Sequence, residues 1–509
     1  MPIITMQNFS FQYANGTASA IRDVNLSICE GEFLVICGRS ASGKSTLLRC
    51  LKESITPAGI KKGTVQGSIR SSEISVVFQN PDTQLVNNTV LSDLAFCMEN
   101  LCVKNPAMRR RIAEVAGFFD IEVLLHRDPV SLSGGQKQLV VLCAAIMTHP
   151  RLLLLDEPVS QLDPIAARKI FDMLKLLNDE LGTTIVMTEH RLDECIALAD
   201  RLAVMHQGKL IGCNKAKTML RQLSADPDGV LFVPDLPRLS MKLTANEKVC
   251  LNYKEWKNEM PVSGGIVIES KTKDRESDRN IITMKKVFFA YGKKEAWVIN
   301  NLDIKIKAGQ KLCLLGGNGS GKTTLLKIMA GMLSPIHGTI KNDCLKVFYL
   351  PQNVYSYFRY ETVLKEILSD SPNDYRESPL FQDFGLSGAL ERHPLDLSGG
   401  EAVKLALFCI LSKKPDLILL DEPTKGLDPY AKEYLANWLR QTDGAIICAT
   451  HDLSFAARVS DMSAMLFDGT IAAVDFTKSL LSDNRYYTTQ ISRCLRDHLG
   501  EAVVFEDVM

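Results

Sequence analysis

The sequence has no surplus of charge: 59 basic residues stand against 59 acidic ones over 509 positions. A balanced chain offers no bulk attraction to nucleic acid or to an anionic lipid surface, so no nucleic-acid partner is expected. Its 14 cysteines form no C-x-x-C pair, which argues against a zinc site or a disulfide framework. They read instead as small buried hydrophobes of a reducing compartment. No apolar run approaches the ~18 residues needed to cross a bilayer. Met1-Pro2-Ile3-Ile4-Thr5 also lacks the basic-then-apolar pattern of a secretory signal. A role in transport would need other subunits to form the path through the membrane.

What the sequence does have, it has twice. A G-x-x-x-x-G-K-[ST] loop runs Gly38-Arg39-Ser40-Ala41-Ser42-Gly43-Lys44-Ser45 and is followed by Thr46. It recurs as Gly316-Gly317-Asn318-Gly319-Ser320-Gly321-Lys322-Thr323, followed by Thr324. Lys44 and Lys322 are 278 residues apart, as are Tyr13 and Tyr291 ahead of them. Ser133 and Ser398 of two LSGG stretches are 265 apart, and so are Asp156 and Asp421 of two Asp-Glu pairs. The second copy is therefore shortened between loop and LSGG, while LSGG and Asp-Glu keep a fixed separation and belong to one rigid unit.

Around the motifs, Glu32 to Cys37 and Lys311 to Leu315 read as buried strands entering the loops, and Ser45 to Leu51 and Thr323 to Met329 as helices leaving them. The runs Leu152 to Leu155 and Leu417 to Leu420 suit parallel strands buried on both faces, as do Thr183 to Met187 and Ala445 to Cys448. Alternating strands and helices predict an α/β fold with a predominantly parallel sheet in each half. The expected domains are 1–224 and 281–480, with a small appendage and polar linker at 225–280 and a tail at 481–509. The linker reading rests on the polar run Glu269 to Asp278; the tail carries no functional signal.

The chemistry follows from residue type and order. Glycines let successive backbone N–H groups curl round phosphate oxygens at a helix N-terminus. Lys44 and Lys322 are expected on the β- and γ-phosphates of ATP, with Ser45 and Thr323 on Mg²⁺. Asp156 and Asp421, after apolar strands, are expected on the metal, and Glu157 and Glu422 on the attacking water. Gln79 and Gln352 follow apolar segments and could touch Mg²⁺ or its waters, while His190 and His451 end strands and could sense the γ-phosphate. Tyr13 and Tyr291 could stack on adenine or pack in the core, and spacing alone leaves both open. Ser133-Gly134-Gly135 and Ser398-Gly399-Gly400 offer a second anion site ahead of a helix in each half.

Leu132-Ser133-Gly134-Gly135-Gln136 and Leu397-Ser398-Gly399-Gly400-Glu401, each between a phosphate loop and an Asp-Glu strand, resemble the signature of ABC-type ATPases. The resemblance covers both halves. It implies two tandem P-loop NTPase domains, each with a mostly parallel sheet, an antiparallel β subdomain and a helical subdomain. It also implies that the two halves pair within one chain, the signature of one closing the ATP site of the other. The loops Ser160 to Asp163 and Lys425 to Asp428 look like the segments through which such sites communicate.

Phe78-Gln79-Asn80-Pro81-Asp82-Thr83-Gln84-Leu85 is similar to the glutamine-loop region of the ATPases of energy-coupling factor (ECF) importers, which take up vitamins and metal ions. That likeness implies a peripheral protein on the cytoplasmic face of the cell membrane. Its partners would be an integral T component and a substrate-binding S component, or another ABC permease. Pro351-Gln352-Asn353-Val354-Tyr355 lacks the Asn-Pro-Asp-x-Gln pattern, so the second half is expected to dock differently. The alternatives are a fused sugar-importer ATPase and a soluble tandem ABC ATPase acting on ribosomes or nucleic acid.

Overall fold

Apolar strands that are buried from end to end organise each half. The computed structural model describes residues 2–14, 16, 18–160, 162–227, 229–260, 279–292, 295–370, 375–496 and 502–508. The chain divides into two units, Met1–Asn252 and Tyr253–Met509. That division falls inside the 225–280 segment, and the polar run Glu269 to Asp278, read as a linker, lies outside the described residues.

In the first unit β1 (Pro2–Tyr13), β2 (Ile21–Cys29) and β4 (Gly59–Gly67) form an antiparallel sheet in the order β2-β1-β4. A second sheet has the order β5-β6-β7-β3-β8-β9, from β3 (Phe33–Gly38), β5 (Ile74–Val77), β6 (Leu152–Asp156), β7 (Thr184–Thr188), β8 (Arg201–His206) and β9 (Lys209–Lys215). All its pairings are parallel except that of β8 with β9. The second unit repeats the plan. Strands β10 (Asn280–Phe289), β11 (Ile299–Lys307) and β13 (His337–Asn342) make the antiparallel sheet in the order β11-β10-β13. Strands β12 (Lys311–Leu315), β14 (Val347–Leu350), β15 (Leu417–Asp421), β16 (Ala445–Ala449), β17 (Met462–Phe467) and β18 (Thr470–Phe476) make the other, in the order β14-β15-β16-β12-β17-β18.

Every residue of β6 and β7, and of β15 and β16, is buried. Burying each Leu, Ile or Val there contributes about 1.5–3 kcal/mol, so these strands anchor whatever their C-terminal ends carry. Helices Val90–Glu99, Asn105–Phe118 and Gly134–Ile146 form the helical part of the first unit, and Val363–Asp370, Pro379–Phe384 and Gly399–Leu411 that of the second. The two phosphate-type loops leave β3 and β12 and enter the helices Lys44–Cys50 and Lys322–Met329.

The segment read as an appendage divides. Its helix Asp235–Leu243 lies in the first unit, and its helix Tyr253–Glu259 packs in the second against Gln490–Leu495. The C-terminal segment is held by the Asp507 carboxylate, which accepts from the Val503 and Val504 amides. Most cysteines are buried, as expected, whereas Cys29 and Cys102 are exposed.

Candidate functional site

Each loop turns into its helix through a glycine that no other residue could replace without strain. Gly43 and Gly321 have φ of 99° and 100°. A Cβ there would lie 2.7 Å from the Ala20 carbonyl oxygen and 2.8 Å from that of Val298. The lysines that follow are buried and fold back over their own loops. Lys44 Nζ donates to the Gly38 and Arg39 carbonyls at 2.9 and 3.0 Å, and Lys322 Nζ to Gly316 and Gly317 at 2.8 and 3.0 Å. Ser42 Oγ and Ser320 Oγ are buried with no hydrogen-bond partner among the described residues. Matching orphaned hydroxyls inside two glycine loops, each loop carrying a lysine ammonium, fit an oxyanion ligand.

Behind the loops, β6 and β15 deliver the acidic pairs. Asp156 Oδ1 accepts from Ser45 Oγ and Thr188 Oγ1, both at 2.8 Å. Asp421 accepts from Thr323 and, on Oδ2, from the Tyr349 hydroxyl at 3.1 Å. Burial raises both carboxyls above the ordinary aspartate value, while the hydroxyls that bond them pull the other way. A hydroxyl paired with an aspartate beside a phosphate loop fits Mg²⁺, whose remaining positions phosphate and water would fill. When bound, the ion would neutralise charge on the β- and γ-oxygens.

The glutamates sit one residue beyond, where the chain bends with φ of 47° at Glu157 and 50° at Glu422. Their amides donate to the Thr188 and Ala449 carbonyls of the neighbouring strand. Glu157 is gripped on both oxygens: His190 Nε2 lies 2.6 Å from Oε1, and Gln79 Nε2 donates to Oε2 at 2.8 Å. Glu422 Oε2 lies 2.8 Å from His451 Nδ1, and its Oε1 is 4.0 Å from Lys322 Nζ. Among the described residues, no bond like that of Gln79 joins Gln352 to Glu422. Glutamate and histidine thus meet in both units, whereas the glutamine joins them only in the first.

Ser133 and Ser398 cap their helices, accepting from the Gln136 and Glu401 amides. The two caps differ in what the serine hydroxyl does. Gln136 offers its side-chain oxygen to the Ser133 backbone amide alone, whereas Glu401 also accepts from the Ser398 hydroxyl at 2.8 Å. Tyr13 and Tyr291 bond Thr46 and Thr324 through their hydroxyls at 2.8 and 3.0 Å and keep partly open rings. An open ring beside the helix that follows the loop suits a stacking surface better than a core position. Asp163 and Asp428 cap the next helices, while Gln161 of the first loop lies outside the described residues.

The family model for ABC transporters matches residues 21–160 and 299–425. The chain belongs to the ABC transporter family. A Bacillus cereus protein named "Putative ABC transporter ATP-binding protein" is 38% identical over 99% of this chain and 97% of its own length. A Clostridium tetani protein of the same name is 30% identical over 80% of this chain and 95% of its own. Among solved structures, an archaeal ribosome recycling factor, aABCE1, in complex with the ribosomal stalk protein aP1, aligns with a TM-score of 0.66. The match covers 97% of this chain and 98% of that one at 19% identity, a likeness of fold.

This ABC ATPase therefore hydrolyses ATP, and its structure adds residues that the motifs do not include. Thr188 and Tyr349 supply hydroxyls to the metal-type aspartates from flanking strands. Glu189 sits between Thr188 and His190, buried, with Oε1 unpartnered among the described residues. Thr188 is the polar last residue of a mostly apolar strand, a signal present in the sequence, whereas Tyr349 stands inside its strand and Glu189 just beyond one.

Proposed function

We propose that the chain is the ATP-hydrolysing subunit of an ECF-type importer, driving uptake of a vitamin or metal ion through membrane partners from the cytoplasmic face of the membrane. In this reading Lys44, Lys322 and the glycine loops hold ATP, Ser45, Asp156, Thr323 and Asp421 hold Mg²⁺, and Glu157 and Glu422 receive the proton of the attacking water. No described helix is long and apolar enough to cross a membrane, so the path would belong to other subunits.

One observation carries the ECF assignment. An apolar groove of about 340 Å³ opens beside Gln79, lined by Phe78, Gln84, Leu85, Phe96 and Leu101. Gln84, from the sequence pattern that resembles ECF ATPases, shapes its wall by accepting from the Phe78 amide and donating to the Val76 carbonyl. Asp93 holds the following turn through the Val86 and Asn87 amides. Glu366 holds the equivalent turn of the second unit through the Arg359 and Tyr360 amides. There, however, Tyr357 and Phe358 pack against the unit's own core. The first groove suits a short apolar helix of a membrane partner, and the second unit suits a different contact.

Purification from detergent-solubilised membranes tests the reading. An integral membrane protein is expected to co-purify. Phe96→Asp with Leu101→Asp should cut its recovery about 30-fold, the loss of an interface anchor worth ~2 kcal/mol, and spare ATP turnover by the isolated chain. Recovery with ribosomes and no integral membrane protein would replace this reading with the soluble one.

A further inference from the structure

Each metal-type aspartate is held by two hydroxyls, and the second hydroxyl comes from opposite flanks in the two units. For Asp156 it is Thr188, the last residue of β7 and the Cα partner of Asp156 in the sheet. The residue paired with Asp421 on β16 is Ala449, which has no group to donate. For Asp421 the hydroxyl comes instead from Tyr349 on β14, where Tyr349 pairs with Leu419. At the same register on β5, paired with Leu154, stands Val76. One unit thus has Val and Thr around its aspartate, and the other Tyr and Ala.

Both aspartates are 2% exposed. A single donor leaves a carboxylate free to rotate about its last bond, and a second donor from another strand removes that freedom. The second hydroxyl therefore fixes which way the carboxylate faces. We propose that Tyr349 is a positioning residue for Asp421, doing from the Gln352 side what Thr188 does for Asp156 from the His190 side. The proposal rests on the ATP and Mg²⁺ reading above. It makes the second metal site answer to the strand that leads into Gln352, and the first to the strand that leads into His190.

The test is Mn²⁺ binding to the full chain with ADP, followed by electron paramagnetic resonance. Tyr349→Phe should weaken one of two Mn²⁺ sites about 10-fold, the low end of the effect of removing a partner of a metal ligand. Adding Ala449→Thr should restore it, because the new hydroxyl enters from the flank that serves Asp156. The mirrored pair gives an independent reading: Thr188→Val should weaken the other site, and Val76→Tyr should recover it. Unchanged Mn²⁺ affinity in Tyr349→Phe would overturn the proposal. So would weakening that Ala449→Thr does not repair. Absence of Mn²⁺ binding in the unaltered chain would instead remove the metal reading itself, and the proposal with it.

Discussion

Replacing Glu157 and Glu422 together by Gln is expected to lower steady-state ATP turnover by about 10²–10⁴-fold, the usual contribution of a positioned general base. The substitution is close to isosteric, and an amide can still meet His190 or His451, so ATP binding should survive. What is lost is a group that can take a proton. The single variants should differ from one another. Glu157 is bonded by His190 and Gln79, whereas Glu422 is bonded by His451 and lies 4.0 Å from Lys322. Phosphate release measured with bound nucleotide quantified in parallel separates chemistry from binding. Full turnover by the double variant would exclude both glutamates as the base.

The second large effect concerns stability. Glu189 is enclosed just beyond the end of β7, and burial pushes its carboxyl up from an ordinary 4.5 to about 8, with the Glu157 charge adding to the rise. The Val159 amide, the Arg191 charge and the His190 amide oppose it without cancelling it. Folding thus favours the protonated form. For a group whose folded value is raised, the stabilisation is complete below the unfolded value and is lost as pH climbs through the folded one. The first unit should accordingly weaken between about pH 4.5 and pH 8, by about 5 kcal/mol.

Glu189→Gln, neutral at every pH, should flatten that decline and raise the melting temperature at pH 8. Some slope should remain, since Asp156 and Asp421 are shifted in the same direction. Calorimetry across this range decides the matter: equal pH slopes in the two proteins would show that Glu189 is not the group responsible. The second unit has Thr450 at the corresponding place and lacks this source of sensitivity.

Much of this is legible in the sequence because the relevant structure is local. A glycine loop, the helix it enters and an apolar strand ending in Asp-Glu are contiguous stretches, and their spacing alone predicts two α/β halves with matched sites. The doubled order of motifs also picks out Lys44, Lys322, Glu157 and Glu422 without reference to any contact. Tertiary structure decides which side chains meet across strands. Thr188 and Tyr349 reach equivalent aspartates from opposite sides, Gln79 bonds its glutamate where, among the described residues, Gln352 does not, and Glu401 accepts from the Ser398 hydroxyl. Such pairings depend on sheet register and on the direction of each side chain, which residues far apart in the chain set jointly. Burial, which raises Glu189, depends likewise on everything packed around it, so neither could be read from spacing.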